Sequence, residues 1–157
     1  QAFLRFKILA DKKPKIYDED LATIVEDELA MIPEAYTLVD FKITSGKNIT
    51  PSASVEIIDG KTKKRLLANA TGDGPVDACF KTIEKAIKLK GRLVDYKVGA
   101  VTGGKDALGE VSVKIKFMKD TVSGRASSTD IIEASVYAYM NAVNRFSLRN
   151  MKQKQKR

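Results

Sequence analysis

The stretch Leu38–Ile43, which reads LVDFKI, occurs a second time as LVDYKV at Leu93–Val98, 55 residues later. Two further pairs follow in the same order and at nearly the same offset: Ser54–Ile57 with Ser112–Ile115, and Val76–Ala78 with Ile132–Ala134. Ordered matches at one spacing indicate an internal duplication. We therefore predict two units of about 56 residues, spanning roughly 36–90 and 91–147.

Each unit contains segments in which apolar and polar residues alternate. Strict alternation would place three apolar side chains on one face of each first strand: Val39, Phe41 and Ile43, then Val94, Tyr96 and Val98. Such alternation is typical of half-buried strands. Second strands are predicted around Val55 and Val113, with a turn at Gly60. Third strands are predicted at about 63–70 and 120–126.

Each unit then ends with a predicted amphipathic helix. Gly74 is the predicted N-cap of the first helix, with Pro75 at its first position. Asp130 is the predicted N-cap of the second, with Glu133 three residues later. The two N-caps are 56 residues apart. The sequence therefore predicts an α+β fold made of two pseudo-symmetric βββα units.

The chain outside this duplication has a different character. Residues 1–35 predict a small helical connector lobe, with helices at about 2–11 and from Asp18 towards Pro33. The formal net charge is +8, and five positive charges in residues 149–157 leave +3 for the rest. A net charge of +3 on the chain before residue 149 is ordinary, and it argues against nucleic-acid binding by the main domain. Residues 148–157 are predicted to be a disordered basic tail.

Composition excludes several classes of protein. No window approaches the roughly 18 consecutive apolar residues of a membrane span, so no membrane association is predicted. The chain has one cysteine, Cys79, which excludes an internal disulfide and fits a cytoplasmic protein. It has no histidine, which removes histidine-dependent nucleophile systems and most zinc sites. Carboxylate and lysine chemistry are not removed, so composition alone leaves an enzyme possible.

The motif Gly72–Asp77, which reads GDGPVD, is the sharpest local feature. Two glycines before a helix allow close approach of a ligand, and the first helical turn favours a carboxylate. Asp73 and Asp77 would repel a phosphate but could hold an ammonium group, so the motif suits a zwitterion. A tight turn with a well-formed helix start explains the same residues, and both interpretations stay open.

Other residues with chemical potential have simpler explanations. Cys79 lies on an apolar helix face and is predicted to be a core residue. Tyr96 occupies an inward strand position, where packing is the simpler reading. Gly103–Lys105 is predicted to be a wide hairpin turn, because it is too short for a phosphate loop. Four acidic residues could form a metal or acid–base set, but helix capping and turns explain their positions equally well. They are Asp106, Glu110, Asp130 and Glu133.

Five ordered motifs resemble the C-terminal regulatory domain of 2-isopropylmalate synthase, and citramalate synthase carries a related domain. They are Gly72–Ala78, Leu93–Tyr96, Ala100–Val111, Ser128–Ser135 and Asn141–Arg145. The resemblance covers about 36–147, and residues 1–35 resemble the connector that precedes this domain. Ala126 departs from the pattern, because the family often has glycine after the arginine.

The resemblance implies a homodimeric sensor that binds the end-product amino acid near its dimer interface. Leucine is favoured over isoleucine as the effector, and binding would inhibit condensation of acetyl-CoA with 2-oxoisovalerate. The catalytic part of the family is a TIM barrel that uses a divalent metal, and its ligand histidines have no counterpart here. The resemblance therefore implies a regulatory part of an acyltransferase, with no catalytic residue, no metal ligand and no cofactor of its own.

The resemblance also implies which residues contact the effector. The glycine-rich turn would hold its polar end, and apolar residues of the second unit would line its side chain. The implied effector-binding residues are Gly72, Asp73, Gly74, Val76, Asp77, Leu93, Tyr96, Ala100, Val101, Ala107 and Ile131. Two other classes remain as alternatives: a basic nucleic-acid-binding module and a stand-alone enzyme that uses carboxylates.

Overall fold

In the computed structural model, which describes residues 34–101 and 107–155, each predicted unit is an antiparallel sheet followed by a helix. The first unit comprises β1 Tyr36–Gly46, β2 Ile49–Asp59, β3 Arg65–Thr71 and α1 Pro75–Ile87. The second comprises β4 Gly91–Ala100, β5 Gly109–Phe117, β6 Asp120–Ser128 and α2 Ile131–Gln155. Strand order follows chain order in both sheets. The predicted βββα duplication is confirmed.

Some predicted features cannot be compared with this structure. The connector helices up to Pro33 and the turn at Gly103–Lys105 lie outside the described residues. The turn predicted at Gly60 is present, and the Asp59 carboxylate closes it by accepting the N–H groups of Lys61 and Thr62 at 2.8 and 3.3 Å. No helix in the described part of the chain is long and apolar enough to span a bilayer.

Both first strands carry a β-bulge at the same place. The register of β1 with β2 shifts between Leu38 and Asp40, and that of β4 with β5 shifts between Leu93 and Asp95. A bulge inserts one residue and reverses the alternation before it. The prediction that Val39 and Val94 share the inner face is therefore wrong. Leu38 and Leu93 take those positions instead, opposite the buried Ile57 and Ile115.

Each helix covers the inner face of its own sheet. Helix α1 packs on β2 and β3, and α2 packs on β5 and β6. Equivalent core positions are fully buried in both units, among them Ile57 and Ile115 in the central strands and Ala78 and Ala134 in the helices. Each helix covers the first strand of its own sheet, β1 or β4, less than it covers the other two strands. The inner faces of β1 and β4 are therefore available for contacts with other parts of the protein.

The two units pack together through their helices. The Tyr139 hydroxyl of α2 donates a hydrogen bond of 2.7 Å to the Glu84 carboxylate of α1. The rings of Phe80 and Tyr139 lie 4.4 Å apart between centroids. At the start of β1 the Asn144 amide of α2 exchanges two hydrogen bonds with the Tyr36 backbone, at 2.8 and 3.0 Å. Residues of the two repeats thus form one continuous core.

The prediction of a disordered tail from residue 148 is wrong for residues 148–155, which continue α2 to Gln155. Lysine and glutamine have good helix propensity, and Lys152 and Lys154 lie in the last turn, where positive charge complements the helix dipole. Residues 151–155 are exposed, so helix formation there does not require burial.

Candidate functional site

The loop between β3 and α1 is held tightly against the first sheet. The Gly72 N–H donates a hydrogen bond of 3.0 Å to the Pro51 carbonyl. A Cβ atom at Gly72 would lie 2.4 Å from the Ala78 backbone nitrogen, so a side chain would force the loop away from the helix. The first glycine of the motif is therefore required by close packing of backbone on backbone.

Asp77 closes this loop from within the helix. Its carboxylate accepts the Asp73 N–H at 2.9 Å and lies 3.0 Å from the Lys81 ammonium. The hydrogen bond from Asp73 and the charge of Lys81 lower the pKa of Asp77 below its usual range, against a smaller opposing effect of desolvation. Asp77 is therefore engaged within the protein, and Asp73 keeps the more accessible carboxylate of the pair.

The starts of the two helices differ in how they are capped. In α2 the Asp130 carboxylate accepts the N–H groups of Ile132 and Glu133, at 2.9 and 3.4 Å. In α1 the N-cap is Gly74, as predicted, and no side chain caps the helix. The Gly74 backbone is extended, and a Cβ placed on it would meet nothing within 4 Å. Open space thus lies beside α1 at the position of the Asp130 side chain in α2.

This open helix start presents backbone donors. The Ala78 N–H bonds to the Gly74 carbonyl at 2.9 Å, and Pro75 has no N–H. The N–H groups of Val76 and Asp77 correspond to the two that Asp130 caps in α2, and no side chain in residues 34–101 or 107–155 accepts them. Such donors, together with the helix dipole, favour a carboxylate. The start of α1 therefore has the backbone donors and the space that a carboxylate would need.

Tyr96 lies beside the helix starts on the inner face of β4. Its hydroxyl is 2.6 Å from the Ser135 Oγ, and that Oγ donates to the Ile131 carbonyl at 2.8 Å. Since the only Ser135 hydrogen is used in this way, Tyr96 is the donor to Ser135. The Phe80 ring of α1 meets Tyr96 edge-on, with centroids 6.4 Å apart. Tyr96 therefore connects β4 to both helices.

The starts of α1 and α2 converge near this tyrosine. Burial raises the pKa of the Cys79 thiol to about 11, and the nearby negative charge of Asp130 adds to the shift. Cys79 is 1% exposed, which confirms its predicted core position. Ile131 covers Gly109, which pairs with Ala100 at the end of β4. The structure thus brings Tyr96, Ala100 and Ile131 to one region.

The remaining predicted residues line a surface that is open. Leu93 lies on the inner face of β4 and is 45% exposed, and Val98 on the same face is 50% exposed. The Val101 N–H bonds to the Leu108 carbonyl at 2.8 Å, which continues the hairpin past β4. Ala107 is half-buried beside that bond. No hydrogen bond or ring contact within the described ranges joins this stretch directly to the Gly72–Asp77 loop.

A separate hollow of about 330 Å³ lies over the first sheet and contains none of the predicted residues. It is lined by Asp40, Phe41, Lys42, Ser54, Val55, Glu56, Leu67, Ala68 and Asn69. Its polar lining side chains are on the outer face, away from α1. The start of α1 and the inner face of β4 are the stronger candidate, because the first has open backbone donors and the second has half-exposed apolar side chains.

Sequence reasoning missed two residues that organise the candidate site. Ser135, which is fully buried, holds the Tyr96 hydroxyl, and Phe80 packs on the Tyr96 ring. The repeat could have indicated Ser135, because it aligns with Cys79 on the apolar face of the first helix. A serine on an otherwise apolar helix face needs a polar partner.

Two of the four acidic residues considered as a metal or acid–base set have other roles. Glu110 lies 3.5 Å from the Arg125 guanidinium, and Asp130 caps α2. Asp106 lies outside the described residues. In the part of the chain that the structure describes, no three residues among Cys, Asp and Glu are grouped so as to hold a metal ion.

Comparison with known proteins agrees with this architecture. The family model described as the LeuA allosteric (dimerisation) domain matches residues 15–147. A protein named 2-isopropylmalate synthase from Carboxydothermus hydrogenoformans is 49% identical over 146 residues, 92% of this chain and 28% of that protein. Proteins of the same name from Sediminispirochaeta smaragdinae and Heliobacterium modesticaldum are 46% and 48% identical. The chain thus spans less than a third of each of these relatives, and it belongs to the LeuA allosteric (dimerisation) domain family.

Proposed function

We propose that this domain binds leucine at the interface of two copies and inhibits a parent 2-isopropylmalate synthase. The observation that carries the proposal is the difference between the two helix starts. Asp130 supplies a carboxylate to the first turn of α2, whereas α1 has an open space beside Gly74 and uncapped backbone donors. The carboxylate of a free amino acid takes the place that an aspartate side chain has in the second repeat.

The other end of the ligand meets residues of suitable chemistry. Its ammonium group binds the Asp73 carboxylate, since that of Asp77 is engaged by Lys81. Its side chain packs towards Val76, Tyr96 and Ile131, which border the helix starts. Burying a leucine side chain contributes about 1.5–3 kcal/mol, and charge-assisted hydrogen bonds at both ends fix its orientation.

A second copy completes the apolar wall. Leu93 and Val98 lie on the same inner sheet face and remain about half exposed, which offers apolar surface for a partner to cover. A dimer partner that covers this face buries them together with the effector. An effector held between two subunits binds one arrangement of the dimer better than another, and this differential affinity is the source of allosteric coupling.

The reaction that is inhibited belongs to the parent protein. Because the relatives are more than three times the length of this chain, we place the condensation of acetyl-CoA with 2-oxoisovalerate, and the divalent metal it uses, in the part that this chain lacks. The coupling energy that transmits inhibition is typically about 1–3 kcal/mol. The domain functions in leucine biosynthesis in the cytoplasm.

Titration calorimetry with leucine, isoleucine and valine tests the proposal. We expect leucine to bind most tightly; preferential isoleucine binding would assign the domain to the citramalate branch. Absence of binding below millimolar concentration for all three would overturn the sensor function. Replacing Ala107 by Phe should abolish binding while the dimer persists, and an unchanged affinity would show that the pocket is misplaced.

A further inference from the structure

One carboxylate oxygen at the start of α1 makes three contacts. Asp77 Oδ2 accepts the Asp73 N–H at 2.9 Å and lies 3.0 Å from the Lys81 ammonium nitrogen. A Cβ atom on Gly72 would lie 2.7 Å from the same oxygen, so the carboxylate also packs against the Gly72 backbone. The Asp77 side chain thus ties the loop that precedes α1 to the first turn of the helix.

This side chain supplies one half of a capping box. In a complete box the N-cap side chain accepts an N–H group of the first turn, and the side chain at the third helical position reaches back to the chain before the helix. In α1 the backward contact comes from Asp77, and the forward contact is missing because the N-cap is Gly74. In α2 Asp130 makes the forward contact. The first turn of α1 therefore keeps open donors beside a loop that is already fixed.

The loop is held from two sides. The Gly72 N–H bonds to the Pro51 carbonyl of β2 at 3.0 Å, and the next N–H along the chain, that of Asp73, bonds to Asp77 in α1. Both bonds are internal to the protein, so the loop does not depend on a ligand for its shape. A loop that is already in its binding shape loses less conformational freedom when a ligand binds.

The charge of Asp77 opposes the binding of another carboxylate. The hydrogen bond from Asp73 is the main cause that lowers the pKa of Asp77, so this carboxylate is ionised at neutral pH. A second carboxylate on the N–H groups of Val76 and Asp77 would lie in the same helical turn, where like charges repel. Lys81 lies one turn further along and counters this repulsion, and its hydrogen bond with Asp77 raises the pKa of Lys81.

This lysine occurs in the first repeat alone. The residues 56 positions after Asp77 and Lys81 are Glu133 and Tyr137, so the acidic residue is repeated and the cation is not. Asp130 is part of the chain and stays at the start of α2 despite Glu133. A free ligand at the start of α1 has to bind against the charge of Asp77, and compensation is needed only there.

We propose that Asp77 and Lys81 are positioning residues of the effector site. The Asp77 side chain holds the loop in the shape that leaves the N–H groups of Val76 and Asp77 open. Lys81 neutralises Asp77, so that the effector carboxylate can bind beside it. These roles rest on the proposed function, because they are assigned at the leucine site. The Asp77 side chain acts through the loop, and only its backbone N–H meets the effector.

Hydrogen exchange of the Asp73 amide, measured by NMR on the full chain, tests the loop without any effector. Asp77→Asn keeps an acceptor for this N–H, whereas Asp77→Ala removes it. We expect exchange at a rate close to that of wild type in Asp77→Asn and about tenfold faster exchange in Asp77→Ala, in line with the net free energy of one hydrogen bond. Equal rates in all three proteins would overturn the role of Asp77.

Calorimetry with leucine separates the hydrogen bond of Asp77 from its charge. Asp77→Asn should bind leucine at least as tightly as wild type, because the acceptor remains and the charge is lost. Asp77→Ala should bind about fivefold more weakly, because the loop is no longer held. Thermal denaturation confirms that both variants are folded during the titration. Equal losses in both variants, or no loss in Asp77→Ala, would contradict a positioning role.

Lys81→Met tests the neutralisation at low ionic strength. We expect leucine affinity to fall about threefold, a small change because the ion pair is exposed, and Lys81→Arg should preserve the affinity. In the Asp77→Asn background Lys81→Met should have no effect, since no charge is left to neutralise. An equal loss in both backgrounds would overturn the role of Lys81. If wild type bound no leucine, the proposed function would fail together with the role of Lys81, while the Asp73 exchange rate would still decide whether Asp77 holds the loop.

Discussion

The two βββα repeats share their architecture and differ in three matched features. At the helix start, the first repeat has Gly74 and the second has Asp130. In the third strand, Ala68 corresponds to Gly124. The hydrogen-bonded pair Tyr96 and Ser135 corresponds to Phe41 and Cys79. The shared features specify the fold, and the difference in capping leaves the start of α1 open.

The largest expected effect concerns Gly124. A Cβ there would lie 1.9 Å from the Ala138 carbonyl oxygen and 2.8 Å from the Ala142 nitrogen, so α2 would have to move. We expect Gly124→Ala to lower the free energy of unfolding by about 3 kcal/mol or more, as urea denaturation would measure it. Its counterpart Ala68→Gly should cost only about 0.5–1 kcal/mol. Similar losses for both would show that the two helices pack equally closely.

The second prediction concerns the different capping of α1 and α2. Gly74→Asp transfers the cap of the second repeat to the first, and the extended backbone and open space at Gly74 accept the side chain. We expect a gain of a few tenths of a kcal/mol in stability, together with at least a tenfold loss of leucine affinity, because the new carboxylate takes the donors of Val76 and Asp77.

The control is Asp130→Gly, which removes the native cap of α2. It should lower stability by a few tenths of a kcal/mol, and leucine should bind with nearly unchanged affinity in calorimetry. Undiminished leucine binding by Gly74→Asp would mean that the effector carboxylate does not occupy the start of α1.

A smaller effect tests the polar pair of the second repeat. Ser135→Ala leaves the Tyr96 hydroxyl without its 2.6 Å partner, and we expect a loss of about 1–2 kcal/mol. The double variant Tyr96→Phe with Ser135→Ala removes both groups and should cost less than the sum of the single changes. Additive losses in urea denaturation would indicate that the two hydroxyls do not interact.

The sequence was sufficient to predict the duplication, the order of elements and both N-caps, because alternation and capping are local signals. Val39 and Val94 were placed on the wrong face because a bulge adds one residue without changing the composition of a strand. Two contacts were not predicted, since they join residues far apart in sequence: the Ser135 bond to Tyr96, and the Arg145 guanidinium bond to the Ser123 carbonyl of β6. Whether the implied effector residues form one pocket stays a prediction, because it depends on a second chain.

The smallest expected effect concerns the junction of the repeats at Glu84. Burial raises the pKa of this carboxyl, although the Tyr139 hydroxyl, the Gly91 N–H and Lys90 oppose the shift. A raised folded pKa means that folding favours the protonated acid. Its contribution to stability is therefore complete below the unfolded pKa of about 4.3 and is lost as pH rises through the folded value.

Glu84→Gln removes this titration and keeps an acceptor for Tyr139. We expect the stability of the variant, relative to wild type, to rise as the pH of urea denaturation is raised from 4 to 7. A relative stability that falls over this range would mean that Tyr139, which donates at 2.7 Å, stabilises the ionised carboxylate more than burial disfavours it. In that case the charge of Glu84 would itself help to hold the two repeats together, and the junction would weaken on acidification.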